Sequence, residues 1–239
     1  MEDLKWRRLT WCCSGRRRLL RVGSAAAEHP VSHSKGAVVK RRKEVLQFTI
    51  ALQEISPPIW RRVQVPASYS FWDLHVALQD AMGWKDCHLH MFHFPRQGSR
   101  REVEIGIPDP DEPRGSGSCL AGWEVPAERF FRRPGDEAKY EYDFGDSWHH
   151  TVLLEGILLA EPDASYPVCT GGERACPPED VGGVSGYQEF LEAVLDPKHP
   201  EHSSMLQWAG GRFDAEAFDP RHVHFDNPKK RWRTAFRSR

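Results

Sequence analysis

The sequence predicts an α+β fold, and three observations carry that prediction. Two alternating stretches, Leu46–Leu52 and Ile59–Val65, precede a helix marked at both ends, Ser70 to Gly83. Two further alternating runs follow it, His88–Phe94 and Ala138–Leu154, and helical spacing returns only after residue 184. Period-two alternation marks a strand with one buried face, while a period near 3.6 marks an amphipathic helix. Strands with one helix among them, then helices collected at the end, describe an α+β domain rather than a parallel α/β sheet. The expected arrangement is β-grasp-like, ββαβ(β)ββ. It is a mixed or antiparallel sheet with one helix across a face, followed by a C-terminal helical segment.

Each element has its own warrant. Leu46, Phe48, Ile50 and Leu52 alternate with polar or small neighbours, and Ser56-Pro-Pro ends the strand because proline cannot continue a ladder. Ile59, Val63 and Val65 then share a face opposite Trp60, Arg62 and Gln64. Ser70 with Asp73 three residues on is a capping box; Phe71, Leu74, His75, Leu78 and Met82 follow at helix spacing, and Gly83 supplies a left-handed stop. His88, His90, Phe92 and Phe94 fall on one face of the next strand, and Glu102–Ile107 is a further short one. Pro108-Asp-Pro-Asp-Glu-Pro and Gly115-Ser-Gly-Ser read as loop. Tyr140, Tyr142 and Phe144 face Trp148, His150, Val152 and Leu154 across a Gly145-Asp-Ser turn, which is a hairpin. Ser185 with Gln188 suggests a second capping box, ahead of the stripe Tyr187, Phe190, Leu191 and Val194, and Pro200–Trp208 a short helix stopped by Gly210-Gly211.

Charge divides the chain. Residues 1–43 hold twelve Lys/Arg against three acids, a balance of +9, and residues 228–239 hold six and no acid, +6. The overall charge is −1, so the span between them carries −16. The organisation expected is a basic extension at 1–40, an α+β domain over 41–227 and a basic tail at 228–239. The extension has no periodicity; it reads as sequence ahead of the true translation start, or alternatively as a transit peptide. An acidic core opposes binding of duplex DNA by the domain itself, whereas the basic ends could touch nucleic acid. No apolar run nears the roughly 18–20 residues that cross a bilayer. Six cysteines without a secretory signal imply reduced thiols and a cytoplasmic protein with no membrane partner.

The stretch Cys169–Tyr187 concentrates thiols, carboxylates, prolines and glycines, a mixture no core strand needs, and reads as a rigid functional loop. A metal site there would use Cys169 and Cys176, six residues between them, with His88 and His90 arriving from a strand. Thiolate and imidazole select zinc, and carboxylates favour magnesium or manganese. The plainer reading makes the thiols small buried groups and the histidines hydrogen-bond partners of the loop. A second set, Asp143, Asp146, Glu179 and Asp180 with His150 as general base, would suit metal-assisted hydrolysis of a phosphodiester. Against it, Asp146 stands where turn chemistry puts an aspartate anyway. Gly182-Gly-Val-Ser-Gly186 opening a helix lacks the Lys-Ser/Thr of a P-loop. Lys229-Lys-Arg-Trp-Arg233 could clamp a single strand, or be a solvated tail.

The segments Ile55-Ser-Pro-Pro-Ile-Trp-Arg-Arg62, Phe71-Trp-Asp-Leu-His75, Gly83-Trp84 and His88-Leu-His90 occur in that order. Tyr140-Glu-Tyr-Asp-Phe-Gly-Asp146, Trp148, His150, Cys176-Pro-Pro-Glu-Asp180-Val-Gly-Gly183 and Gly186-Tyr187 follow. Together they resemble the plasmid pRiA4b ORF-3-like family, met also as a TnpR-type passenger protein of insertion sequences. The resemblance implies a compact α+β domain associated with plasmids and mobile elements, and no reaction. Val181 departs from it, standing where relatives often carry a further cysteine. The function expected is an accessory or binding module with a Cys/His/acid-lined loop and an unidentified protein or nucleic-acid partner. The alternative is a metal-dependent hydrolase or nuclease using the same residues.

Overall fold

The computed structural model describes residues 43–95, 98, 102–109, 111 and 119–236. The basic extension at 1–40 and the Gly115-Ser-Gly-Ser loop lie outside the described residues. Strands β1 (Glu44–Leu52) and β2 (Trp60–Pro66) lead into helix α1 (Phe71–Met82), then β3 (His90–Phe94), β4 (Val103–Gly106) and β5 (Cys119–Ala121). The hairpin strands β6 (Glu137–Tyr142) and β7 (Trp148–Leu159), the strand β8 (Val168–Glu173) and helices α2 (Gly183–Leu195), α3 (His202–Trp208) and α4 (Pro228–Ala235) complete the order.

The eight strands form one sheet, β5-β4-β3-β6-β7-β1-β2-β8. Every neighbouring pair is antiparallel except β4–β5. The α+β class and the helix across one face are as expected. The strand order is its own, since β1 lies between β2 and β7 and is antiparallel to both.

The pleat sorts the side chains. Leu46, Phe48, Ile50 and Leu52 of β1, Val63 and Val65 of β2, Phe92 and Phe94 of β3, and Val152 and Leu154 of β7 are buried on the face that α1 covers. Phe71 of α1 meets Phe92, Phe94, Phe130 and Phe131 at centroid distances of 5.0–6.0 Å. Burying each such ring contributes about 1.5–3 kcal/mol. The other face is polar at its centre, where Arg62 pairs with Glu155 at 2.7 Å and Gln47, Thr49 and Gln64 close the network. Helix α1 has the predicted ends: Ser70 and Asp73 exchange both capping-box bonds, and Gly83 stops it at φ 90°.

Three local expectations give way. The loop predicted from Cys169 is strand as far as Glu173, paired with β2. Glycine hides the strand in sequence but is required there, because a Cβ on Gly172 would stand 2.5 Å from Phe218 and 2.7 Å from the Trp60 carbonyl. Helix α2 starts two residues before the Ser185 cap, at Gly183, with Gly182 as a left-handed N-cap whose N–H goes to Asp146 Oδ2 at 3.0 Å. The tail from 228 is helix α4, docked on α1. Asn227 caps it, Trp72 Nε1 donates to the Pro228 carbonyl at 3.1 Å, and Arg231 reaches Asp80 and Asp226 at 2.6 and 2.7 Å. An amphipathic helix with one tryptophan and one bridging arginine on its inner side does not stay solvated when α1 offers a partner for each.

Candidate functional site

Three connections converge at one end of the sheet: Trp84–Leu89 after α1, the hairpin turn Asp143–Ser147, and the loop from Arg174 to Gly182. The chain locks them to one another. Arg61, buried on β2, donates to the carbonyls of Ala81, Glu173 and Arg174 at 2.8–2.9 Å, which fixes the root of the loop. Trp84 stacks on Tyr142 at 5.0 Å and its Nε1 donates to the Pro177 carbonyl at 2.9 Å. The Lys85 N–H donates to Glu179 Oε1 at 2.6 Å. The Tyr142 hydroxyl donates to the Glu179 carboxylate at 3.2 Å and accepts from the Cys87 N–H at 3.1 Å. Burial, then the Glu179 charge, push the Tyr142 phenol far above its ordinary range, so it stays a donor.

At the centre stands His88. Its Nε2 lies 3.0 Å from Asp180 Oδ1, 3.5 Å from Asp143 Oδ2 and 4.0 Å from Glu179 Oε2. That nitrogen is sealed from solvent and makes no hydrogen bond. Asp143 and Asp180 both sit in the left-handed region, at φ 57° and 58°, which aspartate tolerates and which turns each carboxylate toward the histidine. Asp143 keeps Oδ1 for the Gly145 N–H at 3.0 Å and leaves Oδ2 facing the cluster. His88, Asp143 and Asp180 each offer a ligand atom, all within 4.8 Å of one another, the one such group among the described residues. One borderline nitrogen with hard carboxylate oxygens is a donor set for manganese, zinc or magnesium. The Asp180 side chain is 69% exposed, so the outer side of such a site opens to water.

The candidates named from the sequence are thus divided. Asp143, Glu179, Asp180 and His88 come together. Asp146 is outside that group, and its carboxylate accepts from the Gly182 N–H. His150 points into the core from β7, edge-on to Trp84 at 5.3 Å, with Nδ1 3.3 Å from the Tyr140 carbonyl. Burial pulls its pKa down to about 4, opposed by the Tyr140 and Trp148 carbonyls, so it is a neutral, enclosed ring and not a base facing solvent. His90 stacks face-on against His75 at 3.4 Å, and burial, then His75, hold it well below the usual imidazole range.

The set Cys169, Cys176, His88 and His90 is not gathered into one site among the described residues. The Cys169 thiol donates to the Gly171 carbonyl at 3.4 Å and is raised by burial. Burial pushes the Cys176 thiol up to about 12, although Arg61 acts the other way. Cys169 is buried and Cys176 half-buried against the core, and thiolate formation is disfavoured at each. Sequence reasoning missed the supports, Trp84, Tyr142 and Asp86. The Oδ1 of Asp86 lies 2.7 Å from His75 Nε2 and its Oδ2 3.7 Å from Arg231, which holds the segment carrying His88. The signal available was Gly83-Trp84, an aromatic placed directly after a helix stop.

Known proteins share this framework. The sequence pattern described as plasmid pRiA4b ORF-3-like protein matches residues 44–222. The uncharacterized protein y4hQ of Sinorhizobium fredii (strain NBRC 101917 / NGR234) is 37% identical over 172 residues, 70% of this chain and 81% of the relative. The crystal structure of the protein of unknown function MM3350 from Methanosarcina mazei Go1 superposes with a TM-score of 0.69 at 39% identity, covering 77% of this chain and 99% of that one. No helix among the described residues is long and apolar enough to cross a membrane.

Proposed function

The chain belongs to the plasmid pRiA4b ORF-3-like family, and from that premise we propose that it is a cation-dependent binding module associated with mobile DNA. Its working surface is the hairpin turn and the loop around His88, and a divalent cation held by His88, Asp143 and Asp180, with Glu179 beside them, organises that surface. One observation carries this reading: an imidazole nitrogen without a hydrogen bond faces three carboxylates at 3.0–4.0 Å. Carboxylates so close to one another repel, and a cation among them offsets the repulsion and satisfies the nitrogen together. Manganese or zinc fits the mixed donors best, and the cytoplasm is the compartment that reduced thiols at Cys169 and Cys176 would suit.

The test is calorimetric titration of the full chain with Mn2+ and with Zn2+, beside Asp143→Asn and His88→Gln. The expected result is one ion per chain, weakened by more than about tenfold in each variant, since even outer-shell partners act on that scale. Wild-type protein that takes up neither ion at millimolar concentration refutes the reading. A second reading, a metal-dependent hydrolase or nuclease, draws on the exposed outer side of Asp180, where a cation would keep water ligands. Metal-dependent cleavage of a phosphodiester, abolished in Asp143→Asn with the fold intact, would establish it over the binding module.

A further inference from the structure

At the opposite end of α1 from His88 lies a groove of about 590 Å3 whose lining includes Trp72, Trp123 and Trp232, the cations Lys229 and Arg233 and the acids Asp73 and Glu124. Its lining is rich in tryptophan, and Phe236 packs beside it. Trp232 lies 4.6 Å from Trp123, 5.2 Å from Trp72 and 4.0 Å from Phe236, centroid to centroid. Burial is incomplete: Trp123 remains 36% and Phe236 40% exposed. A folded domain of this size has a core in which to hide such rings, and this one already does so with Phe48, Phe71, Phe92 and Phe131. Trp72 is itself buried, but Trp123, Phe236 and the half-buried Trp232 gather at the surface with area left open to solvent, and that area is available for a ligand.

The charges beside them narrow the ligand. Arg231 is used by the fold, bridging Asp80, Asp226 and Asp86. Lys229, Lys230 and Arg233 are exposed on the same helix and form no salt bridge among the described residues. Of the two acids in the lining, Asp73 is engaged in the Ser70 capping box, accepting from its N–H and hydroxyl at 2.9 Å. Stacking faces interleaved with free cations match a chain of bases and phosphates.

We infer that this groove binds single-stranded nucleic acid, with bases stacking on Trp123 and Trp232 and phosphates meeting Lys229 and Arg233. An unpaired strand is specified because a duplex conceals its base faces, and because the −16 charge of residues 44–227 opposes a long duplex footprint. The groove has room for one or two nucleotides, so sequence preference would be weak. This proposal does not depend on the cation site, which lies beyond the other end of α1.

The experiment is fluorescence anisotropy of a labelled deca-thymidylate titrated with the full chain at about 20 mM salt, repeated at rising salt. Three proteins are compared with the wild type: Trp123→Ala, which removes an exposed ring from a turn, Trp232→Ala, and Lys229→Ala/Arg233→Ala, which keeps the aromatic packing. Loss of one stacked base should weaken binding about 5- to 150-fold. Removing two phosphate contacts should lower the slope of log affinity against log salt by about 1.4. The inference is overturned by an absence of binding at low salt, or by wild-type affinity in all three variants, which would assign binding to the basic residues of 1–43. Equal affinity for a duplex, or saturable binding of a proline-rich peptide in place of the oligonucleotide, overturns it as well.

Discussion

Replacing His150 with phenylalanine should leave the protein folded at pH 7 and make it more tolerant of acid. His150 is enclosed on β7, its Nε2 has no hydrogen-bond partner and its pKa is drawn down to about 4. In the unfolded chain the same ring titrates near 6.5. The unfolded state therefore binds the proton first as pH falls, so the contribution of the neutral ring is full above about 6.5 and is lost progressively toward 4. A shift of this size is worth about 3 kcal/mol at about 1.4 kcal/mol per unit, of which about 2 kcal/mol disappears between pH 7 and 5. Phenylalanine has nothing to protonate and fills a similar volume. It gives up one long bond to the Tyr140 carbonyl and also removes an unsatisfied nitrogen, so stability at pH 7 should move by less than about 1 kcal/mol. Urea unfolding from pH 7 to 5 measures both quantities, and the wild type should lose about 2 kcal/mol more than the variant. A remaining slope in His150→Phe is expected from His90, which is also held neutral by burial. Identical slopes in the two proteins would refute the argument. Loss of Mn2+ uptake in His150→Phe, with the fold intact, would return His150 to the working surface from which its burial removes it.

Gly183→Ala should damage fold and cation site together: its φ is +69° and an added Cβ would lie 2.5 Å from the Asp146 carbonyl, so the loop must leave the hairpin. About 2–3 kcal/mol of stability and most of the Mn2+ affinity should go, whereas Gly210→Ala, with φ +90° and open space, should cost only about 1 kcal/mol and leave affinity unchanged, as denaturation and calorimetry would record. Arg231→Ala should cost about 2–4 kcal/mol at pH 7, because Asp80 is then buried without its cation. Burial already raises the Asp80 carboxyl, so the defect should shrink as pH falls and Asp80 takes up a proton, which unfolding at pH 7 and pH 5 would show.

What was legible in the sequence is what depends on one segment at a time. Ser70, Asp73 and Gly83 mark both ends of α1 because capping is settled within four residues of each end. The strands β1, β2, β6 and β7 show in their alternation because one face of each meets the core. Strand β8 was hidden because its glycines answer to Trp60 and Phe218, neighbours more than forty residues away in the chain. Helix α4 was hidden for a related reason: Trp232 and Arg231 read as a solvated tail until α1 supplies Trp72 and Asp80. The site divides along the same line. Asp143, Glu179 and Asp180 carried the right chemistry in the right kind of turn, and His88 was noticed as a ligand type. Their assembly depends on Tyr142, Trp84 and the Lys85 N–H drawing Glu179 against the segment before β3. Those bonds join residues 37 to 94 positions apart, so no local pattern encodes them. The paired thiols join no group of three ligand atoms among the described residues, by the converse logic. Their spacing suggested a common ion, but strand pairing places Cys169 on β8 while Cys176 follows in the loop, and burial keeps both protonated. Spacing proposes a site, and the desolvation of each group decides whether it can take the charge that site requires.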